Sequence, residues 1–233
     1  HLHAPQALEA LQAGKHVFVE KPLALCREEL ERIAGFYRGP GAGEGAPVLL
    51  TGFNRRFSPY ARRIAELLAR RSNPVIILYR MNAGYIPPDH WTQTAEGGGR
   101  NLGEACHIYD LFTFLTGGRA TAVQAAAIAP PAGYYGRNDN FAATVSFDEG
   151  SVATLVYTAL GSRECPKERM EVFVDGRVLV LDDYRELTVC GAGGKGMKSA
   201  RQEKGHREEL AAFAAAIRNG GEWPIPLWQQ LQA

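Results

Sequence analysis

Three side chains have the type and setting to move protons: Lys21, Glu104 and His107. Lys21 ends the short apolar run HVFVEKP (16–22). Desolvation at such a strand end lowers an amine's pKa toward a useful range. The competing reading is a lysine that snorkels into water. His107 lies in GGGRNLGEACHIYDLFTFLTGG (97–118), a glycine hinge running into a helical pattern. An imidazole titrates near neutrality, which suits a general base. The alternative is a core histidine bonded to its helix neighbours. Glu104 and His107 are spaced i, i+3 and share a helix face. Glu104 either orients the imidazole or is a first-turn acid favoured by the helix dipole. Asp110, further along, either meets substrate or is a structural helix-face acid. One Glu-x-x-His element is half of a carboxylate metal site. The sequence has no second copy and no His-Glu-x-x-His, so no metal is expected.

Other polar residues gather at element ends. Asn54 and Arg55 leave a strand end, where ligands of open α/β sheets collect; a surface loop pair is the alternative. Tyr85, His90 and Trp91 flank the Pro-rich loop IPPDHW (86–91). Aromatic rings with donors stack on sugar rings; the alternative is a loop that Trp91 anchors in the core. Arg137, Asp139 and Asn140 have the polarity to bond a polyol. GAGGKG (191–196) matches G-x-G-x-x-G, but MKSARQEKG follows where a phosphate loop needs a helix N-terminus. It reads as a flexible loop, as does the glycine-rich stretch at 41–46, which follows a helix.

The elements that must position these groups come in two textures. Residues 5–14 and 27–37 have helical spacing, with strand patterns at 16–22 and 47–57 and a helix at 59–70. That alternation predicts βαβ units and a parallel sheet. Beyond residue 74, strand patterns dominate: 74–84, 121–129, 140–147, 151–160, 170–175, 177–183 and 186–190. Asp148–Glu149–Gly150 and Asp175–Gly176 sit where hairpin turns belong. A helix at 206–221 with a glycine stop closes the pattern. The expected fold is an α/β remnant of a Rossmann-type domain over residues 1–50. An α+β domain follows over 51–233, with a large, mostly antiparallel sheet and helices on one face.

The chain has 233 residues, 45% hydrophobic and 22% charged, the balance of an ordinary globular protein. Its net charge of +1 argues against nucleic-acid or membrane partners recruited by bulk charge. No apolar run approaches bilayer length. Cys26, Cys106, Cys165 and Cys190 are far apart and form no metal or disulfide framework, as expected of reduced thiols in the cytoplasm.

HAPQALEALQAGKHVFVEKPLAL (3–25) resembles the end of the Rossmann domain in the Gfo/Idh/MocA family of NAD(P)-dependent oxidoreductases, where a Glu-Lys-Pro triplet closes a strand over the nicotinamide. GFNRRFSPYARRIAELL (52–68) is similar to the family's inter-domain segment, and GGGRNLGEACHIYDLFTFLTG (97–117) to its glycine-led active-site helix. IPPDHW with GEACHIYD is similar to a subgroup in which this unit is fused behind a zinc-alcohol-dehydrogenase-like half. The family's dinucleotide fingerprint lies several strands upstream of Glu-Lys-Pro, and only about 15 residues precede that strand, short of the ~30 of a βαβ unit. The chain therefore reads as the C-terminal part of a longer enzyme. Gly103 stands where the family carries an acid or amide, and the spacing lets Glu104 replace it.

The resemblance implies hydride transfer between NAD or NADP and a ring hydroxyl of a sugar, sugar nucleotide or cyclitol. Lys21, His107 and Glu104 would be catalytic. His3, Glu20, Lys21, Pro22, Asn54 and Arg55 would border the cofactor, and Tyr85, Trp91 and Asp110 the substrate. Two alternatives stand beside it: a non-catalytic substrate-binding or dimerisation module, and a lyase or isomerase on the same scaffold. The expected partners are a carbohydrate or cyclitol and a second copy of the chain, paired through the sheet face.

Overall fold

The N-terminal alternation folds as a small parallel unit in the computed structural model, which describes residues 1–43, 45–130, 133–220 and 222–233. Helix α1 (His3–Gln12) buries Ala4, Ala7, Leu8 and Leu11, one stripe at helical spacing. Strands β1 (Val17–Val19) and β2 (Leu49–Thr51) pair in parallel, Val17 opposite Leu49. Helix α2 (Arg27–Arg38) crosses between them and buries Ile33 and Phe36 against Leu8, Leu11 and Leu49. Of the glycine-rich stretch at 41–46, Glu44 lies outside the described residues.

After β2 the chain makes a tight 3-10 turn, Asn54–Phe57, and enters α3 (Pro59–Leu68). Ser58 caps α3 by accepting from the Tyr60 amide, and Pro59 occupies the first turn, where its missing N–H costs nothing. Strand β3 (Ile76–Asn82) then opens an eight-stranded sheet. The other members are β4 (Ala120–Ala127), β5 (Asn140–Phe147), β6 (Val152–Thr158), β7 (Glu168–Val174), β8 (Arg177–Asp182), β9 (Glu186–Cys190) and β10 (Met197–Lys198). Their spatial order is β10-β9-β8-β7-β3-β6-β5-β4, antiparallel throughout except for the parallel pair β3–β6. Both expected hairpins form, β5–β6 and β7–β8. GAGGKG is a loop between β9 and the two-residue β10, which is too short to leave a periodic signal.

One face of the sheet is the core. Ile77, Tyr79 and Met81 of β3 lie beside Ala153, Leu155 and Tyr157 of β6 and Met170 and Val172 of β7, under α3 and α4 (Cys106–Thr116). The opposite face leaves Ile76, Leu78, Val156 and Phe173 exposed. Helix α5 (His206–Asn219) follows; of its expected glycine stop, Gly221 lies outside the described residues. No described helix is long and apolar enough to cross a membrane.

A short C-terminal helix, α6 (Leu227–Gln232), has no counterpart in the sequence reading, because six residues are too few for a helical period to show. It returns to the N-terminal unit, where Trp223, Leu227 and Leu231 pack on the α1–α2 core. Gln230 is buried against β2. Its Oε1 accepts from the Thr51 amide and hydroxyl, and its Nε2 donates to the Leu49 carbonyl.

A buried ion pair fastens the 54–57 turn to α4. Arg56 donates through Nε and Nη2 to Asp110 at 2.9 and 2.5 Å, and through Nη1 to Gln229 at 2.6 Å. Asp110 is fully buried, which corrects the expectation that it meets substrate. Removing one partner strands a charge in the core. Asp110→Ala should therefore lower the unfolding free energy by about 3–5 kcal/mol in urea denaturation. The double variant Arg56→Met, Asp110→Leu should recover most of that loss.

Candidate active site

A cavity of about 310 Å³ opens at the junction of the two units. Lys21, His3 and Pro22 come from the N-terminal unit, and Arg55 from the turn after β2. Gly103, Glu104 and His107 come from the start of the α4 helix. The glycine hinge is real: Gly98 and Gly99 have φ near +75°, a conformation that favours glycine. The chain then runs through one π-turn, Asn101–Ala105, into α4. Such a turn is a frequent mark of functional sites.

Lys21 Nζ donates to the Gly103 carbonyl at 2.5 Å, joining segments 82 residues apart. The lysine is partly buried and lines the cavity rather than reaching into bulk water. His107 is 7% exposed, with its ring set edge-on to Phe53. Its Nδ1 has no hydrogen-bond partner among the described residues. Burial, with the positive charges of Arg55 and Lys21 nearby, holds its pKa well below the ordinary 6.5. The imidazole is therefore neutral at physiological pH. His3 donates from Nδ1 to the Pro22 carbonyl at 2.8 Å, one residue after the cis Lys21–Pro22 bond.

Glu104 reaches the cavity wall but does not hold His107, as the i, i+3 spacing had allowed. Its Oε1 accepts from Lys167 Nζ at 2.6 Å, and its Oε2 from Arg100 at 3.1 Å and from the Tyr157 hydroxyl. Burial pushes its carboxyl up, but these three donors outweigh burial and hold it at about 2. It is a fixed anion, not a proton carrier.

Arg55 lines the cavity and is itself held from behind. Its Nε and Nη2 donate to the Glu168 carboxylate at 2.7 and 3.1 Å. Lys204 Nζ and the Tyr79 hydroxyl complete that carboxylate's shell at 2.6 and 2.5 Å. Asn54 turns away from the cavity and donates to the Lys204 carbonyl at 2.9 Å. Gly205, the N-cap of α5, is packed on this same turn. A Cβ there would come within 2.4 Å of the Asn54 carbonyl and the Ser58 nitrogen. With φ at +88°, the position accepts no other residue without moving the turn.

Of the remaining expected site residues, Glu20 is exposed and outside the cavity wall. Trp91 lines the rim and is 66% exposed, so it does not anchor its loop in the core. Tyr85 stands outside this cavity and stacks on Tyr134 with ring centroids 4.3 Å apart. Asp139 accepts from Gln93 at 2.5 Å. Sequence reasoning passed over Arg100, Tyr157, Lys167, Glu168 and Lys204. One signal for Glu168 was present. The alternation Met170, Val172, Val174 extends back two residues to it, and so predicts an inward-facing acid.

A partial parallel α/β unit joined to a large open sheet, with a lysine and a neutral histidine lining one cavity between them, is the architecture of an oxidoreductase class. Residues 1–39 match the family model for an oxidoreductase NAD-binding Rossmann fold, and residues 74–179 match the GFO/IDH/MocA C-terminal domain. The chain belongs to the Gfo/Idh/MocA family. It is 26% identical over its full length to the uncharacterized oxidoreductase YrbE of Bacillus subtilis, of which it covers 70%. It is 24% identical to myo-inositol 2-dehydrogenase of Thermotoga maritima, over 94% of this chain and 67% of the relative. The structure of UDP-N-acetylglucosamine 3-dehydrogenase from Acidithiobacillus ferrooxidans superposes with a TM-score of 0.79 at 22% identity, covering 99% of this chain and 71% of that one. The chain thus spans about two thirds of these relatives' length.

Glu168 offers a test of the network behind Arg55. Burial raises its carboxyl, but Arg55 and Lys204 prevail and take it from 4.5 to about 2. Its stabilising contribution is present above pH 4.5 and is lost as the pH falls through 2, about 3 kcal/mol in all. Glu168→Gln should be destabilised at pH 7, and its deficit relative to the parent should shrink below pH 4.5 in denaturation series. A deficit independent of pH would exclude the ionised network.

Proposed function

We propose that the chain carries the catalytic junction of an NAD(P)-dependent dehydrogenase acting on a ring hydroxyl of a sugar, sugar nucleotide or cyclitol. One observation supports this reading: Lys21 and a neutral His107 line one cavity at the seam of the two units. His3, Lys21 and Pro22 fit the nicotinamide end of a dinucleotide, since they form the wall that the N-terminal unit contributes. When bound, the nicotinamide exchanges a hydride with the carbinol carbon of the substrate. The chain's own residues handle the proton. Lys21 donates to the hydroxyl oxygen and stabilises the charge that develops there. His107, kept neutral by its surroundings, takes the hydroxyl proton. Arg55, locked by Glu168, adds a fixed positive charge to the wall and disfavours protonation of the imidazole beforehand. Glu104 anchors the π-turn, so that the Gly103 carbonyl stays in place to hold Lys21.

The experiment follows NADH or NADPH formation with a panel of sugars and cyclitols, with cofactor binding read separately by fluorescence. His107→Asn should lower kcat by about 10²–10⁴-fold and leave cofactor binding intact. The parent's kcat/KM should be flat across pH 6–8, because the base is already neutral there. A step at the ordinary histidine pKa would remove His107 from that role.

The reading extends to assembly and compartment. Ile76, Leu78, Val156 and Phe173 are exposed on the central strands β3, β6 and β7, on the face opposite the helices, with Ile76 beside Phe173 and with Arg80, Arg169 and Glu171 among them. A second copy of the same face would cover it. Leu78→Glu should convert a dimer to a monomer in light scattering, with the fold unchanged by circular dichroism. Four unpaired cysteines support a reducing cytoplasm. The near-neutral charge speaks against nucleic-acid and membrane partners.

A further inference from the structure

Arg55 has an edge that the fold leaves open. Its guanidinium meets the Glu168 carboxylate side-on, through Nε and Nη2. A guanidinium carries N–H groups on a second, end-on edge, where Nη1 and Nη2 each direct one outward in parallel. Nη1 makes no hydrogen bond among the described residues, and it is not sealed from solvent as His107 Nδ1 is. Arg55 is only 5% exposed and lines the reaction cavity, so its small opening is onto that cavity.

The charge around this edge is unbalanced. Glu168 is shared by Arg55 and Lys204, and Glu104 by Arg100 and Lys167, so each cluster sets two cations against one anion. Lys21 adds a further positive charge, because its Nζ meets only the Gly103 carbonyl among the described residues. The Arg56–Asp110 pair is balanced. Asp139, near Arg100, offsets one charge at most, since burial pushes its carboxyl up. The other acids of the wall are occupied or outlying. Glu29 accepts from the Leu25 amide at 2.9 Å, and Glu96 stands at the rim near His1 with its side chain 77% exposed. The cations that act most strongly on the His107 imidazole are Arg55, Lys21 and Lys204.

Excess positive charge in a site sheltered from water attracts an anion more strongly than the same charge on the surface. The open edge of a braced guanidinium matches the two oxygens of a carboxylate. The cavity, about 310 Å³, is at the small end for a ligand site, which suits a single ring. We propose that the reaction cavity takes a sugar acid or cyclitol acid, with its carboxylate on the end-on edge of Arg55. This rests on the dehydrogenase reading and narrows its substrate class. The reacting hydroxyl meets Lys21 and His107, while the carboxylate of the same molecule meets Arg55 and passes through the reaction unchanged. Arg55 selects the acid over the neutral sugar, and Glu168, on its other edge, holds it in position.

The test is calorimetric titration of the full chain with glucose, glucuronate and glucuronamide, and with galactose, galacturonate and galacturonamide. Glucose 6-phosphate and UDP-glucose serve as phosphate probes. Each amide keeps the shape of its acid and removes the charge. At least one acid should bind about tenfold more tightly than both its neutral sugar and its amide, roughly 1.4 kcal/mol. Arg55→Lys keeps a cation opposite Glu168 but has no second edge, so that ratio should fall toward one while neutral-sugar binding persists. Equal binding of acid and amide by the parent overturns the proposal, whatever the variant does, and leaves the dehydrogenase reading standing. An undiminished acid preference in Arg55→Lys, folded by circular dichroism, also overturns it. A larger gain from either phosphate probe than from the acids overturns it in favour of a phosphate site. Acids that bind preferentially yet yield no NADH or NADPH sink the dehydrogenase reading and leave the carboxylate site in place. Failure of every compound to bind counts against both.

Discussion

Glu168 is a carboxylate almost fully sealed from water, in contact with two cations and a phenol. A lone charge at that depth would cost several kcal/mol, and the group would neutralise itself by taking a proton. Arg55 and Lys204 change that balance. Each comes from a different stretch of chain, so the charge is compensated only when the turn after β2, the start of β7 and the approach to α5 are all in place. The network is therefore a geometric condition on the fold as much as a source of stability. It fixes the guanidinium of Arg55 at the cavity wall in one orientation.

Glu104 repeats the arrangement on a smaller scale, with Arg100, Lys167 and Tyr157 around it. Two anions thus stand in and behind the cavity wall, each hydrogen-bonded by protein donors. The groups with capacity left over are Lys21, His107 and the open edge of Arg55. This division explains how a histidine amid cations stays neutral. Burial disfavours the imidazolium first, and the field of Arg55, Lys21 and Lys204 opposes a further proton as well. A carboxylate bonded directly to His107 would have done the reverse and raised its pKa. The i, i+3 relation between Glu104 and His107 is thus better served by distance than by contact.

Much of this was legible in the chain. The periodicities at 5–14, 27–37 and 59–70 and the run of alternating strands located almost every element, because each buries a clear stripe. Lys21 and His107 could be singled out because an apolar strand end and a glycine hinge are local features. The partners behind them could not. Glu168, Lys204, Arg100 and Lys167 are ordinary charged residues in sequence, and only tertiary packing brings Glu168 and Lys204 to Arg55, and Arg100 and Lys167 to Glu104. Asp110 misled for a similar reason: its place on the helix is visible, whereas Arg56, its counter-charge, arrives through tertiary packing. The short α6 escaped because its burial is decided by the unit it docks on.

Gln230 has a role beyond tying α6 to the N-terminal unit. Through its side chain it offers β2 one donor and one acceptor, the same pair a neighbouring peptide group would present. Leu49 and Thr51 are the residues whose backbone groups point away from β1. Their side of the strand would otherwise be a ready template for an extended segment of another molecule. A single amide occupies that template. The chain thereby blocks edge-to-edge association at β2 without spending another strand, and Gln230 acts as a guard against aggregation.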